Sequence, residues 1–207
     1  MDLCSRPHKI GIMGGTFDPV HYGHLVTAEA ARVYFGLEKV VFVPSGRPPH
    51  KKDYLVTEAG HRYLMTVLAV VTNPFFDVSR TELDREGYSY TIDTIREFKQ
   101  ENSGSEIFFI SGADAILEIL TWKDMQEVFR ECSLIAATRP GYIIDGLDRR
   151  LNMLDGAFLR RIHTMEVPAL AISSTDIRRR VSCGEPIKYL VPEAVEQYII
   201  KNHLYKS

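Results

Sequence analysis

Two patterns alternate along the chain. Short contiguous apolar runs are followed by longer stretches in which apolar positions recur every three or four residues. The first pattern reads as strands buried on both faces, the second as amphipathic helices. Lys9–Met13 is expected to be the first strand. A Gly-rich turn and a helix from about Tyr22 to Phe35 come after it. Lys39–Val43 is expected to be a second strand, ended by Pro44, and Ser45–Asp53 a basic, Pro-rich loop. Thr57 is placed as the N-cap of a helix running to about Thr72, where Asn73 and Pro74 stop it. Phe75–Ser79 reads as a strand, Thr91–Gln100 as a helix, Asn102–Ser105 as a turn and Glu106–Ser111 as a strand. A helix near Met125–Glu131 and a strand at Ser133–Ala137 come next. A Gly- and Arg-rich loop or lid is expected from Arg139 to about Arg161, then a strand at Ile162–Val167. Helices near Ser174–Ser182 and Pro192–Asn202 finish the pattern.

Strands alternating with helices predict a parallel sheet covered on both faces. No internal repeat, low-complexity tract or linker interrupts the 207 residues. The expectation is one doubly wound α/β domain over residues 1–207, with a central parallel sheet and C-terminal helices. Ligands of such folds bind outside the carboxyl ends of the strands, at the point where strand order reverses. Segments just after strands are therefore the ones to search for chemistry.

Composition narrows the classes. Hydrophobic residues make up 45% and charged residues 25%, the balance of a water-soluble globular protein. A formal charge of −2 argues against a protein that coats nucleic acid. The cysteines Cys4, Cys132 and Cys183 are odd in number and show no CxxC spacing, so a reducing cytoplasm is expected. Met1–Lys9 lacks the apolar stretch of a signal peptide, and no run approaches the ~18–20 apolar residues of a membrane span. No membrane association is expected.

GGTFDPVHYGH, from Gly14 to His24, comes directly after the first strand. Glycine there lets the backbone approach an anion and adopt positive φ. The helix behind it points free N–H groups and its positive dipole end at the same place. The segment is neither a GxGxxG fingerprint nor a GxxxxGK[ST] P-loop. In place of the P-loop lysine it carries His21 and His24, three apart on the first turn and so on one face. Two imidazoles there can donate to phosphate oxygens and stabilise charge in a phosphoryl transition state. Gly23 between them is expected to leave room for a flat ligand such as a purine. A Gly-Gly turn alone is an ordinary turn, and two such histidines alone read as surface or metal-ligand residues. A zinc site fails for want of a third ligand and of HExxH spacing, so no protein-held metal is expected.

ISSTDIRRR, from Ile172 to Arg180, supplies the hydroxyls of Ser173, Ser174 and Thr175 ahead of a helix bearing Arg178. A capped helix start is a second anion site, and Arg178 lies above that cap where it can grip phosphate. Alone this segment would be an ordinary helix with a solvated basic face.

Together, GGTFDP, HxGH and ISSTDIRRR resemble the HxGH nucleotidyltransferase superfamily, whose fold is Rossmann-like. Further segments narrow the resemblance: SGRPPHK (Ser45–Lys51), TELDREGYSYTIDT (Thr81–Thr94), SGADA (Ser111–Ala115), Trp122-Lys123 and ATRPGY ending at Tyr142. From Lys9 onward the chain looks like bacterial nicotinate-nucleotide adenylyltransferase. The resemblance implies transfer of the adenylyl group of ATP to nicotinate mononucleotide in NAD biosynthesis, with Mg²⁺ accompanying ATP. It implies that Gly14, Gly15, Thr16 and Phe17 line the nucleotide cleft. His21, His24 and Arg178 would act on the ATP phosphates, with Ser173, Ser174 and Thr175 beside them. Arg47 and Lys51 would bring positive charge on a loop over the phosphates. Tyr90 and Thr91 would hold the nicotinate end, Gly112 and Asp114 the ribose side, and Trp122 would stack on the pyridine. Arg139 would sit near the cleft.

Two features depart from the pattern. Ala113 stands where some relatives have a second Gly, and Asp145–Arg161 carries no recognisable motif. Two other readings stay open: pantetheine-phosphate adenylyltransferase, which shares HxGH and an ISS-type signature, and a nucleotide-binding regulator without turnover. Partners are expected to be small molecules and not nucleic acid. A homo-oligomer is left open, as is the strength of preference for nicotinate over nicotinamide.

Overall fold

The computed structural model describes residues 8–48, 56–112, 122–138, 156–168 and 170–206. Among them, six strands form one parallel sheet: β1 (Lys9–Gly15), β2 (Lys39–Pro44), β3 (Phe76–Val78), β4 (Glu106–Gly112), β5 (Ser133–Thr138) and β6 (Ile162–Glu166). Their order across the sheet is β3-β2-β1-β4-β5-β6. The order reverses between β1 and β4, so the crevice at their carboxyl ends is the expected ligand position of a doubly wound, Rossmann-like fold.

The helices among the described residues are α1 (Tyr22–Phe35), α2 (Ala59–Val70), α3 (Thr81–Asp84), α4 (Thr91–Glu101), α5 (Met125–Glu131), α6 (Gly156–Leu159), α7 (Ser174–Ser182) and α8 (Glu193–Lys201). They cover both faces. Side chains alternate across each strand, so Val40 and Phe42 of β2 enter one core while Val41 and Val43 enter the other. Ala28 and Ala31 of α1, Met65 of α2, Ile177 of α7, and Val195 and Ile199 of α8 fill the first core. Ile92, Ile95 and Phe98 of α4 and Val128 and Phe129 of α5 fill the second with Ile10 and Ile12 of β1.

The predicted elements are present, with three corrections. β1 runs on through Gly14 and Gly15, which the hydrophobic pattern assigns to the turn. Thr57 is not the N-cap of α2: that position is Glu58, with no side-chain cap bond. The Thr57 backbone is recruited elsewhere, its N–H donating to Asp18 Oδ2 (3.3 Å) and its carbonyl accepting from Arg62 Nε (2.8 Å). The short α3 lies in a segment given no element and α6 in one read as loop, because four residues are too few to set a periodicity.

Candidate active site

β1 ends at the switch point and passes into a tight, heavily bonded turn. Gly14 is required by close approach: a Cβ there would meet Phe109 of β4 at 2.7 Å. Neither Gly14 nor Gly15 takes positive φ, contrary to the expectation from their type. The left-handed residue of the turn is Phe17, at φ 50°. Its ring is buried against Phe42 and edge-on to His24, at centroid distances of 5.7 and 5.0 Å. Phe17 therefore offers the cleft its backbone and not its side chain. The Asp18–Pro19 peptide is cis.

His21 is the N-cap of α1 and His24 its third residue. Their rings stack at 3.7 Å, as the shared face predicts. The backbone N–H of His21 donates to His24 Nδ1 (3.2 Å). Because a backbone N–H can only donate, Nδ1 must accept, and the neutral ring carries its proton on Nε2. His24 is thus held in the tautomer that can donate to an anion from Nε2, beside a helix N-terminus. The space left by Gly23 is taken by His21, whose Nδ1 would lie 2.9 Å from a Cβ at that position.

The second anion segment meets the first. Ser173 caps α7, its Oγ accepting from the Asp176 N–H (3.1 Å). Ser174 Oγ donates to the carbonyl of Pro19 (2.8 Å), and Arg178 Nη1 donates to the carbonyl of Asp18 (2.6 Å). Arg178 Nη2 also reaches Thr175 Oγ1 (3.3 Å), so Arg178 does lie over the cap. Arg179 and Arg180 turn away and bind Asp176 and Glu185. Segments about 155 positions apart in sequence thus share one wall of the crevice.

The loop after β2 is fastened to the same turn. Ser45 N–H donates to the Gly15 carbonyl (2.8 Å). Ser89 Oγ accepts from the N–H groups of Gly46 and Arg47 (3.0 and 3.1 Å), and the Arg47 guanidinium lies over the Tyr88 ring at 4.7 Å. Tyr90 caps α4, with Thr91 as its first residue, and Lys123 lies over the Tyr90 ring at 4.5 Å. Trp122 packs edge-on to Phe109 at 5.7 Å. Gly112 ends β4 across the switch point from β1. Lys51, Asp114 and Arg139 lie outside the described residues, as does most of Asp145–Arg161.

Sequence reading missed three residues. Arg62 is 1% exposed and donates to the carbonyls of Thr57, Thr16 (2.7 Å) and Gly46 (3.3 Å), tying the β1 and β2 loops together. Asp18 is 1% exposed, and Tyr205 Oη donates to its Oδ1 (2.8 Å). Arg62 sits in an amphipathic helix, where an arginine reads as solvated. The partners of Asp18 come from distant segments that no local pattern links. Cys132 is no nucleophile: burial pushes its thiol up to about 12.

Comparison with known proteins agrees with this geometry. The cytidylyltransferase-like family model matches residues 12–180. A protein of Moorella thermoacetica named "Probable nicotinate-nucleotide adenylyltransferase" is 62% identical over 207 residues, covering 100% of this chain and 95% of that protein. The chain belongs to the nicotinate-nucleotide adenylyltransferase family. Another member, from Thermoanaerobacter sp. strain X514, is 59% identical over 98% of this chain and 96% of its own length. Among solved structures, Plasmodium falciparum nicotinic acid mononucleotide adenylyltransferase complexed with NaAD superposes with a TM-score of 0.73 at 22% identity. That match covers 96% of this chain and 97% of the other and shows a shared fold. No helix among the described residues is long and apolar enough to cross a membrane.

Proposed function

We propose that this chain is a nicotinate-nucleotide adenylyltransferase, joining the adenylyl group of ATP to nicotinate mononucleotide and releasing pyrophosphate. The carrying observation is the convergence at the switch point of the HxGH turn and the α7 cap, through Ser174 Oγ to the Pro19 carbonyl and Arg178 to the Asp18 carbonyl. Two anion-binding helix starts facing one crevice suit a triphosphate. The relatives' names support the acceptor.

The two sides of the sheet's carboxyl edge divide the work. His21, His24, Ser173–Thr175 and Arg178 stand on the side of α1 and α7 and bind the ATP phosphates, and Arg47 and Lys51 are assigned to the same phosphates. Tyr90, Thr91 and Trp122 stand on the side of α4 and α5 and hold the pyridine mononucleotide, and Gly112 and Asp114 are assigned to the same substrate. Gly14, Gly15, Thr16 and the Phe17 backbone run between the two, and Arg139 is assigned to the substrates from the sequence motif it belongs to. The 5′-phosphate of the acceptor attacks the α-phosphorus of ATP in line. A new P–O bond forms, the bond to the α–β bridging oxygen breaks, and pyrophosphate leaves with its electron pair. The acceptor phosphate is already ionised, so no protein nucleophile is required. Catalysis is positioning together with donors, His24 Nε2–H foremost, aimed at charge that develops on the transferring group.

Nucleotidyltransferases of this kind use a divalent metal with ATP. The one carboxylate of the β1 turn is committed, since Asp18 accepts from Tyr205 and Thr57. Among the described residues no three His, Cys, Asp or Glu side chains converge as a ligand set. We take the metal to be Mg²⁺, entering with ATP as part of the substrate and keeping most of its waters. Residues 1–207 are read as one domain, a reading supported by full-length relatives and by α7 and α8 packing into the sheet core. The reaction is assigned to the cytoplasm, with small molecules and not nucleic acid as partners.

A pyrophosphate-release assay with ATP and three acceptors tests the reading. Nicotinate mononucleotide should give the highest kcat/KM, above nicotinamide mononucleotide and phosphopantetheine. Preference for phosphopantetheine would transfer the chain to the pantetheine-phosphate enzymes. Absence of turnover with all three would leave a nucleotide-binding regulator.

A further inference from the structure

Asp18 and the segment after α8 are not accounted for by substrate contacts. Asp18 stands three positions before His21, and its side chain is almost wholly withdrawn from water. A carboxylate in that position must be satisfied by donors. Tyr205, from a segment 187 positions away, donates its hydroxyl to Oδ1 at 2.8 Å, and the Thr57 N–H donates to Oδ2 at 3.3 Å. Tyr205 is not held casually. It sits at φ 61°, a left-handed conformation, just after the Leu204 N–H bonds back to the Ile199 carbonyl (3.1 Å). Its helix α8 is anchored in the core by Val195 and Ile199.

We propose that Tyr205 is a positioning residue for the His21–His24 pair, acting through the Asp18 carboxylate. The backbone of the turn is otherwise gripped on its carbonyls, at Thr16 by Arg62, at Asp18 by Arg178 and at Pro19 by Ser174. Those bonds fix its height over the sheet. The carboxylate, bound from two sides, fixes its rotation, and His21 lies only three residues on. The α1 start is met from the same quarter, since the Tyr22 N–H donates to the Leu190 carbonyl (3.1 Å). Burial first, and the Asp18 charge second, push the Tyr205 phenol above its ordinary range, so it remains a donor at working pH. Without the hydroxyl, the carboxylate loses one of the two donors it has among the described residues and shifts toward the other. The turn rotates and His24 Nε2 is moved off the developing charge. A misplacement of that kind lowers the rate without removing any substrate contact.

The inference rests on adenylyl transfer at this site. The test compares wild type, Tyr205→Phe, His24→Ala and the double variant in the pyrophosphate assay, with thermal melting of each. Tyr205→Phe should lower kcat about tenfold, which corresponds to ~1.4 kcal/mol in the barrier. KM for ATP and for the mononucleotide should stay within about twofold, as for an interaction expressed in the transition state. In the His24→Ala background the same change should cost less than about twofold, because both act through one group. Asp18→Asn, which turns one acceptor oxygen into a donor, should reproduce the kcat loss, and Tyr205→Phe should add nothing to it. Unchanged kcat in Tyr205→Phe, a change in KM alone, or losses that multiply in full with either partner would overturn the inference. If wild type itself shows no turnover, the proposed reaction fails and the inference with it. Wild-type turnover with an unaffected Tyr205→Phe defeats the inference alone.

Discussion

In the proposed mechanism, His24 is the residue on which the chemistry depends most. Its Nδ1 is occupied by a backbone N–H, so its remaining nitrogen is a donor by elimination. His24→Ala should lower kcat by roughly 10²-fold, the scale for removing one transition-state donor, with the fold retained. Near wild-type turnover would remove His24 from the mechanism. Trp122 stands edge-on to Phe109 at the crevice side assigned to the acceptor. Trp122→Ala should raise KM for the mononucleotide more than KM for ATP, and equal effects would contradict stacking on the pyridine. Arg62 is a different case, since it serves the backbone, donating to the carbonyls of Thr57, Thr16 and Gly46. Arg62→Met should cost about 3 kcal/mol or more in urea unfolding, because buried acceptors in two loops lose their donor. A loss under about 1 kcal/mol would mean that water replaces the guanidinium at little cost.

Among the elements, the segments legible in the sequence are those whose stability is local. α5 and α7 begin and end where the pattern places them, at Met125–Glu131 and Ser174–Ser182, and α7 has a side-chain cap in Ser173. The misplaced boundaries are those set by tertiary contact. Thr57 carries the residue type of a cap but gives its N–H to Asp18, and Gly14 and Gly15 carry the residue type of a turn but continue β1 in register with Val43 and Pro44 of β2. α7 also carries a charge cluster with a definite pH response. The Asp176 carboxyl is held below its ordinary range, first by its bond to Arg180 and then by Arg179, and Glu185 is lowered by Arg179. A carboxylate lowered by folding contributes stability above its unfolded pKa and loses it as pH falls through the folded value. Acid titration of wild type should therefore show stability falling below pH about 4 more steeply than in Asp176→Asn. Superimposable slopes would show that these exposed pairs add nothing, as exposed pairs often do.

In the molecule as a whole, the strand order β3-β2-β1-β4-β5-β6 opens the crevice between β1 and β4 on which the site is built. Alternating strands and helices made the sheet readable, and motifs after strands pointed to the candidate site at its carboxyl edge. The way the site is held was not readable. Arg62, Asp18 and Tyr205 act through bonds between segments up to 187 positions apart, and a sequence pattern reports only neighbours. In the proposed reaction the α-phosphorus of ATP moves to the acceptor phosphate, and isotope tracing follows that atom. With α-³²P-ATP and nicotinate mononucleotide, the label should pass into nicotinate adenine dinucleotide, while γ-³²P label passes into pyrophosphate. Label from the α position left in AMP or ADP, with no labelled dinucleotide formed, would contradict adenylyl transfer at this site.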